Sequence, residues 1–228
     1  MTFAELIITV NLKKNIYYEE CGYMIGKNIN KSMLLNEELK ELHPQNKYKN
    51  YVFNGLYPIE KDKIYKQDKL YIFKIRGMDE DTMNRMYSCL WKLKSDDFMV
   101  LSVSKRDIIN RKIGYLYTQT PVIITVDDRP WLQQEGDIEV FIRRLTDNIE
   151  KKYREFFNED IDLKDKFVDS IEFKNRVPMC FRYKGIRLLA NKVKVNIQNN
   201  EDAQKAAFLA RAVGLGEKNS SVGAGFCE

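Results

Sequence analysis

Two apolar periodicities alternate along the chain and predict its elements in order. Residues 3–10 are rich in β-branched and aromatic side chains and read as a strand. Tyr17, Cys21, Met24, Ile25 and Ile29 then recur at helical spacing, with Gly22 and Gly26 each weakening that helix by about 1 kcal/mol. A short second helix is predicted to start on an Asn36 cap, to carry Glu37 and Glu38 in its first turn, and to stop before Pro44. Residues 48–57 and 69–76 read as strands joined by a charged loop. Asp79 opens a helix with the apolar stripe Met83, Met86, Tyr87, Leu90 and Trp91, and residues 98–104 close the set. The order is β-α-β-β-α-β, a split ferredoxin-like unit.

The second half repeats it. Residues 121–126 predict a strand ended by the turn Asp127-Asp128-Arg129-Pro130. The helix after Gly136 places Ile138, Phe141, Ile142, Leu145, Ile149 and Phe156 on one stripe. Residues 167–173 and 179–197 read as strands. The final helix spans about residues 201–213, on an Asn199 or Asn200 cap. Its face of Ala203, Ala206, Ala207 and Ala210 is small enough to sit close to a sheet, and Gly214 is the expected left-handed residue past its end. The predicted fold is α+β: tandem ferredoxin-like (RRM-like) βαββαβ domains, residues 1–110 and 111–228, ending in a glycine-rich loop. Only residues 222–228 remain to form the last strand.

Composition narrows the class. Of 228 residues 44% are hydrophobic, enough for a substantial core. The net charge of +5 is mild, so its distribution matters more than its total. Lys174, Arg176, Arg182, Lys184, Arg187, Lys192 and Lys194 crowd residues 171–198 against Glu172, whereas residues 135–170 are acidic. On a strand, Lys192 and Lys194 share a face while Val193 and Val195 turn to the core. With Phe181 and Tyr183 nearby, that face suits RNA phosphates and base stacking, although a solvated strand face looks the same in sequence. Cys21, Cys89, Cys180 and Cys227 are scattered and there is one histidine, which argues against a zinc site and for reduced thiols in an intracellular protein. No leader-like basic-then-apolar start and no membrane-length apolar run is visible. The expectation is a cytoplasmic protein with no membrane partner, no metal and no cofactor, monomeric or homodimeric.

Chemistry concentrates at two places. Gly214, Gly216, Gly223 and Gly225 form two Gly-x-Gly pairs around six mostly polar residues that include Lys218 and Ser220. Such a loop is expected to expose backbone N–H groups to a phosphate-bearing partner. It lacks the Gly-Lys-[Ser/Thr] of a Walker loop, has Asn219 where a dinucleotide fingerprint needs a third glycine, and follows a helix instead of preceding one. The partner is therefore not a mononucleotide. His43 stands at a helix C-terminus, where the helix dipole alone justifies a histidine. Lys47, Tyr48, Lys49 and Tyr51 follow it in a polar loop entering a strand, so cationic and phenolic groups can converge on the imidazole. The carboxylate pairs at Asp79-Glu80-Asp81, Asp96-Asp97, Asp127-Asp128 and Glu201-Asp202 lie at helix starts or turns, as caps do.

A helix followed by Gly214-x-Gly216, six residues and Gly223-x-Gly225-Phe226, at the end of a tandem ferredoxin-like chain, resembles the repeat-RNA endoribonucleases of CRISPR systems, the Cas-six family of the RAMP superfamily. The resemblance spans essentially the whole chain. It implies a nuclease that cuts the repeats of a precursor transcript without a metal ion, leaving a 2′,3′-cyclic phosphate and a 5′-hydroxyl. It also implies a glycine loop (Gly214, Gly216, Lys218, Ser220, Gly223, Gly225) that packs between the halves and meets RNA. The family pattern of a histidine with a lysine six residues on maps to His43 and Lys49. Its tyrosine from the first helical region maps to Tyr23, with Asn28 nearer the usual spacing, so the third role stays open. Lys47, Arg182, Lys184, Arg187, Lys192 and Lys194 complete the expected RNA contacts, and other CRISPR-associated proteins are expected partners. The competing reading is a non-catalytic RNA-binding RAMP subunit of a surveillance complex.

Overall fold

A computed structural model of the chain describes residues 1–42 and 48–228; His43 and Lys47 lie outside the described residues. Alternation buries Ala4, Leu6, Ile8, Val10 and Leu12 on one face of β1 (Thr2–Leu12). β2 (Ile16–Tyr17), α1 (Tyr18–Met33), α2 (Glu37–Leu42), β3 (Tyr51–Phe53), β4 (Ile64–Tyr65), β5 (Leu70–Gly77), α3 (Glu80–Lys92) and β6 (Phe98–Ile109) follow. The strands pair antiparallel in the order β3-β5-β1-β6, and α1 and α3 lay Cys21, Ile25, Ile29, Met83, Met86 and Leu90 on the buried face. Both expected caps form: Asn36 Oδ1 accepts from Leu39 N at 3.1 Å and Asp79 Oδ1 from Thr82 N at 2.7 Å. Trp91 leaves the predicted stripe and is exposed. Eight residues at about 100° each put it roughly 80° round the helix from Met83, and Cys89 is buried instead.

The second half holds β7 (Tyr115–Tyr117), β8 (Thr125–Val126), β9 (Arg129–Pro130), α4 (Ile138–Phe157), β10 (Val168–Phe173), β11 (Met179–Tyr183), β12 (Ile186–Ala190), β13 (Val193–Ile197), α5 (Glu201–Val213) and α6 (Asn219–Val222). Its sheet runs β10-β13-β7. The C-terminal residues take the remaining strand position, with Tyr117 and Glu228 exchanging N–H···O bonds of 2.8 and 2.9 Å beside a Thr118–Cys227 bridge. Together the halves are tandem ferredoxin-like α+β units.

Three expectations are corrected here. Residues 121–126 do not join the sheet as its first strand; β7 does. Val122 instead bridges Asn191 and Ile123 bridges Glu217, and the chain then turns through Asp127 and Asp128, both at positive φ, into the β8–β9 hairpin. On α4, Ile138 is exposed and Phe156 half-buried, whereas Lys152 and Tyr153 are buried. Asn200 is the α5 cap, accepting from Ala203 N at 2.9 Å, and Gly214 has the expected positive φ (86°) but an extended ψ (154°). Among the described residues no helix is long and apolar enough to cross a membrane, and all four cysteines are free and buried.

The halves meet on the start of β1, which is buried on both faces. Phe3 packs on Phe208 of α5 with ring centroids 5.1 Å apart. The register then sets Glu5 beside Arg76 of β5 and Arg106 of β6. Arg76 Nε lies 2.6 Å from Glu5 Oε2, Arg106 Nε 2.7 Å from Oε1, and Arg76 Nη1 donates to the Cys227 carbonyl at 2.7 Å. Its guanidinium also covers the Phe226 ring at 4.2 Å.

Candidate functional site

The glycine loop packs into the first half through a close approach. A Cβ on Gly22 would fall on the Val222 carbonyl and one on Gly26 on the Ser221 carbonyl, so both helical glycines are required by the loop that α1 carries. Within the loop Gly214, Gly216, Gly223 and Gly225 all have positive φ and all are buried. Three of their amides turn inward: Gly214 N donates to Ala210 O, Gly223 N to Asn219 O and Gly225 N to Pro121 O. This overturns the expectation that Gly214, Gly223 and Gly225 offer N–H groups to a ligand. The loop reaches solvent through exposed Lys218 and half-buried Ser220 and Ser221.

Those three residues rim a cavity of about 220 Å³ whose other walls are Tyr48, Lys49, Asn50, Tyr51, Lys152, Val213 and Asn219. Lys49 reaches it because the segment before β3 is stapled to α4: Tyr48 N donates to Glu155 Oε1 at 3.0 Å and Asn148 Nδ2 to Tyr48 Oη at 3.3 Å. Half-burial holds the Lys49 ammonium below its ordinary range, because desolvation disfavours the charge. Burial, with Glu155 and Glu217 nearby, raises the Tyr48 phenol, so it stays protonated at neutral pH. The cavity thus gathers three lysines and the protonated phenols of Tyr48 and Tyr51, and charge and hydrogen-bond donors act there in a partly dehydrated setting.

Tyr23 and Asn28 lie elsewhere. Tyr23 meets Tyr183 edge-on at 5.4 Å and lines a separate cavity of about 610 Å³ between α1 and the β11–β12 hairpin. Asn28 is buried, its Nδ2 donating to Asp97 Oδ2 at 2.7 Å and Met24 O at 2.9 Å. The larger cavity is where Arg182, Lys184 and Arg187 gather, joined by Lys14 and Lys27, which sequence reasoning passed over. Arg182 is partly engaged by Glu19 at 3.2 Å. The hairpin turns on Lys184-Gly185, both at positive φ, which aims the cations outward at its tip. Lys192, just before β13, and Lys194 on it share a face as expected while Val193 and Val195 are fully buried. Their ammoniums lie 5.2 and 4.7 Å from the rings of Tyr117 and Tyr115 on β7, two aromatics the sequence reading did not single out. Glu172 of β10 stands 3.9 Å from Lys194.

Residues 104–228 match the model of the family described as CRISPR associated protein Cas6, C-terminal, which is more than half of the chain. The chain belongs to the Cas6 family. This Cas6 chain is 29% identical over 214 residues to CRISPR-associated endoribonuclease Cas6 2 of Methanocaldococcus jannaschii, covering 86% of each. A solved CRISPR associated protein Cas6 superposes with a TM-score of 0.75 at 21% identity, covering 99% of this chain and 98% of the other. A structure described as a RAMP protein binding different RNA substrates gives 0.73 at 15% identity, covering 99% and 98%. The fold of this Cas6 family member is therefore that of the CRISPR-associated RAMP proteins.

Proposed function

We propose that the chain is a metal-independent endoribonuclease that cuts CRISPR repeat RNA in precursor transcripts to release guide RNAs. The observation that carries this reading is the cavity in which Lys49 from one half faces Lys218, Ser220 and Ser221 of the glycine loop from the other. In the reaction the ribose 2′-hydroxyl loses its proton, its oxygen attacks the adjacent phosphorus, the bond to the 5′-oxygen breaks, and that oxygen is protonated. His43 moves one of these protons, as an imidazole with a pKa near 6.5 can do in either direction. Lys49, its ammonium half-buried beside the scissile phosphate, stabilises the increasingly anionic phosphorane. Tyr48 supplies a phenol in the same cavity, and Tyr23 acts on RNA held in the larger one. Lys47, Arg182, Lys184, Arg187, Lys192, Lys194, Lys218 and Ser220 bind the repeat, and the four loop glycines shape the surface that Lys218 and Ser220 present. Cleavage of a repeat RNA in excess EDTA, with a 2′,3′-cyclic phosphate on one fragment and a 5′-hydroxyl on the other, is the expected result. Loss of activity in EDTA would contradict metal independence, and RNA that binds but stays intact would favour the RAMP-subunit reading.

The strand face gives a separate test. Lys192→Ala with Lys194→Ala is expected to weaken binding of uncleavable repeat RNA and to lower the magnitude of the slope of log affinity against log salt by about 1–2. An unchanged slope would remove these lysines from the RNA path.

A further inference from the structure

The third lysine of the cavity is unlike the other two. Lys152 of α4 is 1% exposed, and its Nζ lies 2.8 Å from Gly214 O, 2.7 Å from Gly216 O and 2.7 Å from Asn219 Oδ1. Three acceptors around one nitrogen match the three N–H bonds of an ammonium, whereas a neutral amine would turn a lone pair on the third oxygen. None of the three partners is charged. Asn219 extends the network, its Nδ2 donating to Leu215 O at 2.9 Å and Ala224 O at 2.7 Å, so one ammonium and one amide tie both limbs of the loop together.

Among the described residues, the groups facing Lys152 leave its charge without a dedicated counterion. Glu217 is nearest in kind, but its carboxylate already accepts from Thr125 N at 3.0 Å and Thr125 Oγ1 at 2.8 Å. Lys218 comes from the same loop, Tyr48 and Lys49 from the segment before β3, Glu155 from α4 itself, and the Cys227 thiol, raised to about 12, from the C-terminal residues. Burial pushes the Lys152 ammonium down to about 7, with Cys227 and Glu217 pulling the other way, and the three oxygens favour the charged form further. A buried cation without a carboxylate is costly to keep and easily replaced by an apolar residue. Its charge lies at the wall of the cavity.

We propose that Lys152 is a positioning residue for RNA cleavage: it pins the glycine loop in the shape that closes the cavity and leaves a fixed positive charge beneath the scissile phosphate. This rests on the reading of that cavity as the cleavage site. A preorganised charge stabilises the phosphorane, which carries more negative charge than the ground-state phosphate, so the effect falls on the rate more than on binding.

The full chain carrying Lys152→Met, close to lysine in length, tests it. Repeat RNA with a 2′-deoxy scissile nucleotide is expected to bind with near wild-type affinity, while single-turnover cleavage of the all-ribose RNA falls about 10²-fold. A rate equal to wild type overturns the proposal, and so does a loss of affinity as large as the loss of rate, which would make Lys152 a merely structural anchor. Should Lys152→Met fail to fold, Asn219→Ala, which removes one of the three acceptors, decides through amide hydrogen exchange of residues 214–225. Protection lower than wild type supports the pin, and unchanged protection overturns it. A wild-type chain that leaves repeat RNA intact would sink the cleavage reading and the rate effect together, while the exchange measurement still tests the pin by itself.

Discussion

Lys49→Ala is expected to slow single-turnover cleavage of repeat RNA by about 10²–10³-fold, with binding of the uncleavable 2′-deoxy RNA nearly unchanged. Lys49 is half-buried at the wall of a cavity of about 220 Å³, where desolvation has already lowered its pKa, so the ammonium is weakly hydrated and ready to exchange water for a phosphate oxygen. On the proposed reading most RNA affinity comes from Arg182, Lys184, Arg187, Lys192 and Lys194, which the substitution does not touch. His43→Ala is expected to cost about 10²–10⁴-fold, the usual range for one positioned proton-transfer group. Single-turnover rates with enzyme in excess check both, and unchanged rates in either variant would remove that residue from the reaction.

The second large effect is on stability. Arg76→Ala is expected to destabilise the chain by about 3–5 kcal/mol, because it strands the fully buried Glu5 carboxylate with Arg106 as its remaining guanidinium and strips a donor from the Cys227 carbonyl. It also removes the cation from the Phe226 ring, so the C-terminal residues that close the second sheet loosen with it. Glu5→Gln with Arg76→Met is expected to recover most of the loss, since a neutral pair buries no unpaired charge. The pH dependence follows. Burial alone would raise the Glu5 carboxyl, but Arg76, Lys74 and Arg106 lower it below its ordinary 4.5. Its contribution is thus fully present above pH 4.5 and lost as pH falls through the depressed value, an acid limb that the double variant should flatten. Urea midpoints across pH measure both effects, and an Arg76→Ala midpoint matching wild type would contradict the interface described.

Much of the fold was legible because local chemistry and global placement agree. Asn36, Asp79 and Asn200 sit where caps are needed, and the small face of α5 is buried throughout. The failures share a cause. Gly22 and Gly26 looked like flaws in a helix, since periodicity weighs a residue by its own propensity and cannot see the carbonyls of Ser221 and Val222 arriving from the far end of the chain. Their spacing of four was the available signal, because it puts both on one face. Lys152 was missed because a lysine counts as polar, although it continues the buried row Phe141, Leu145, Ile149 at helical spacing. The glycine loop was found, but the amides of Gly214, Gly223 and Gly225 that seemed available to phosphate are spent inside the protein, and the loop reaches solvent through Lys218, Ser220 and Ser221. Tyr23 was chosen by its place in the sequence, and only the rotation of α1 shows that it faces the hairpin and not Lys49.

One substrate atom tests the central claim most directly. A repeat RNA with a single 2′-deoxy nucleotide at the scissile position, compared with its all-ribose twin in excess EDTA, separates attack by the neighbouring hydroxyl from attack by water. The expected result is cleavage of the ribose RNA alone, at one position, with both RNAs bound equally. Equal cleavage of the deoxy RNA, or binding of both with cleavage of neither, would contradict it.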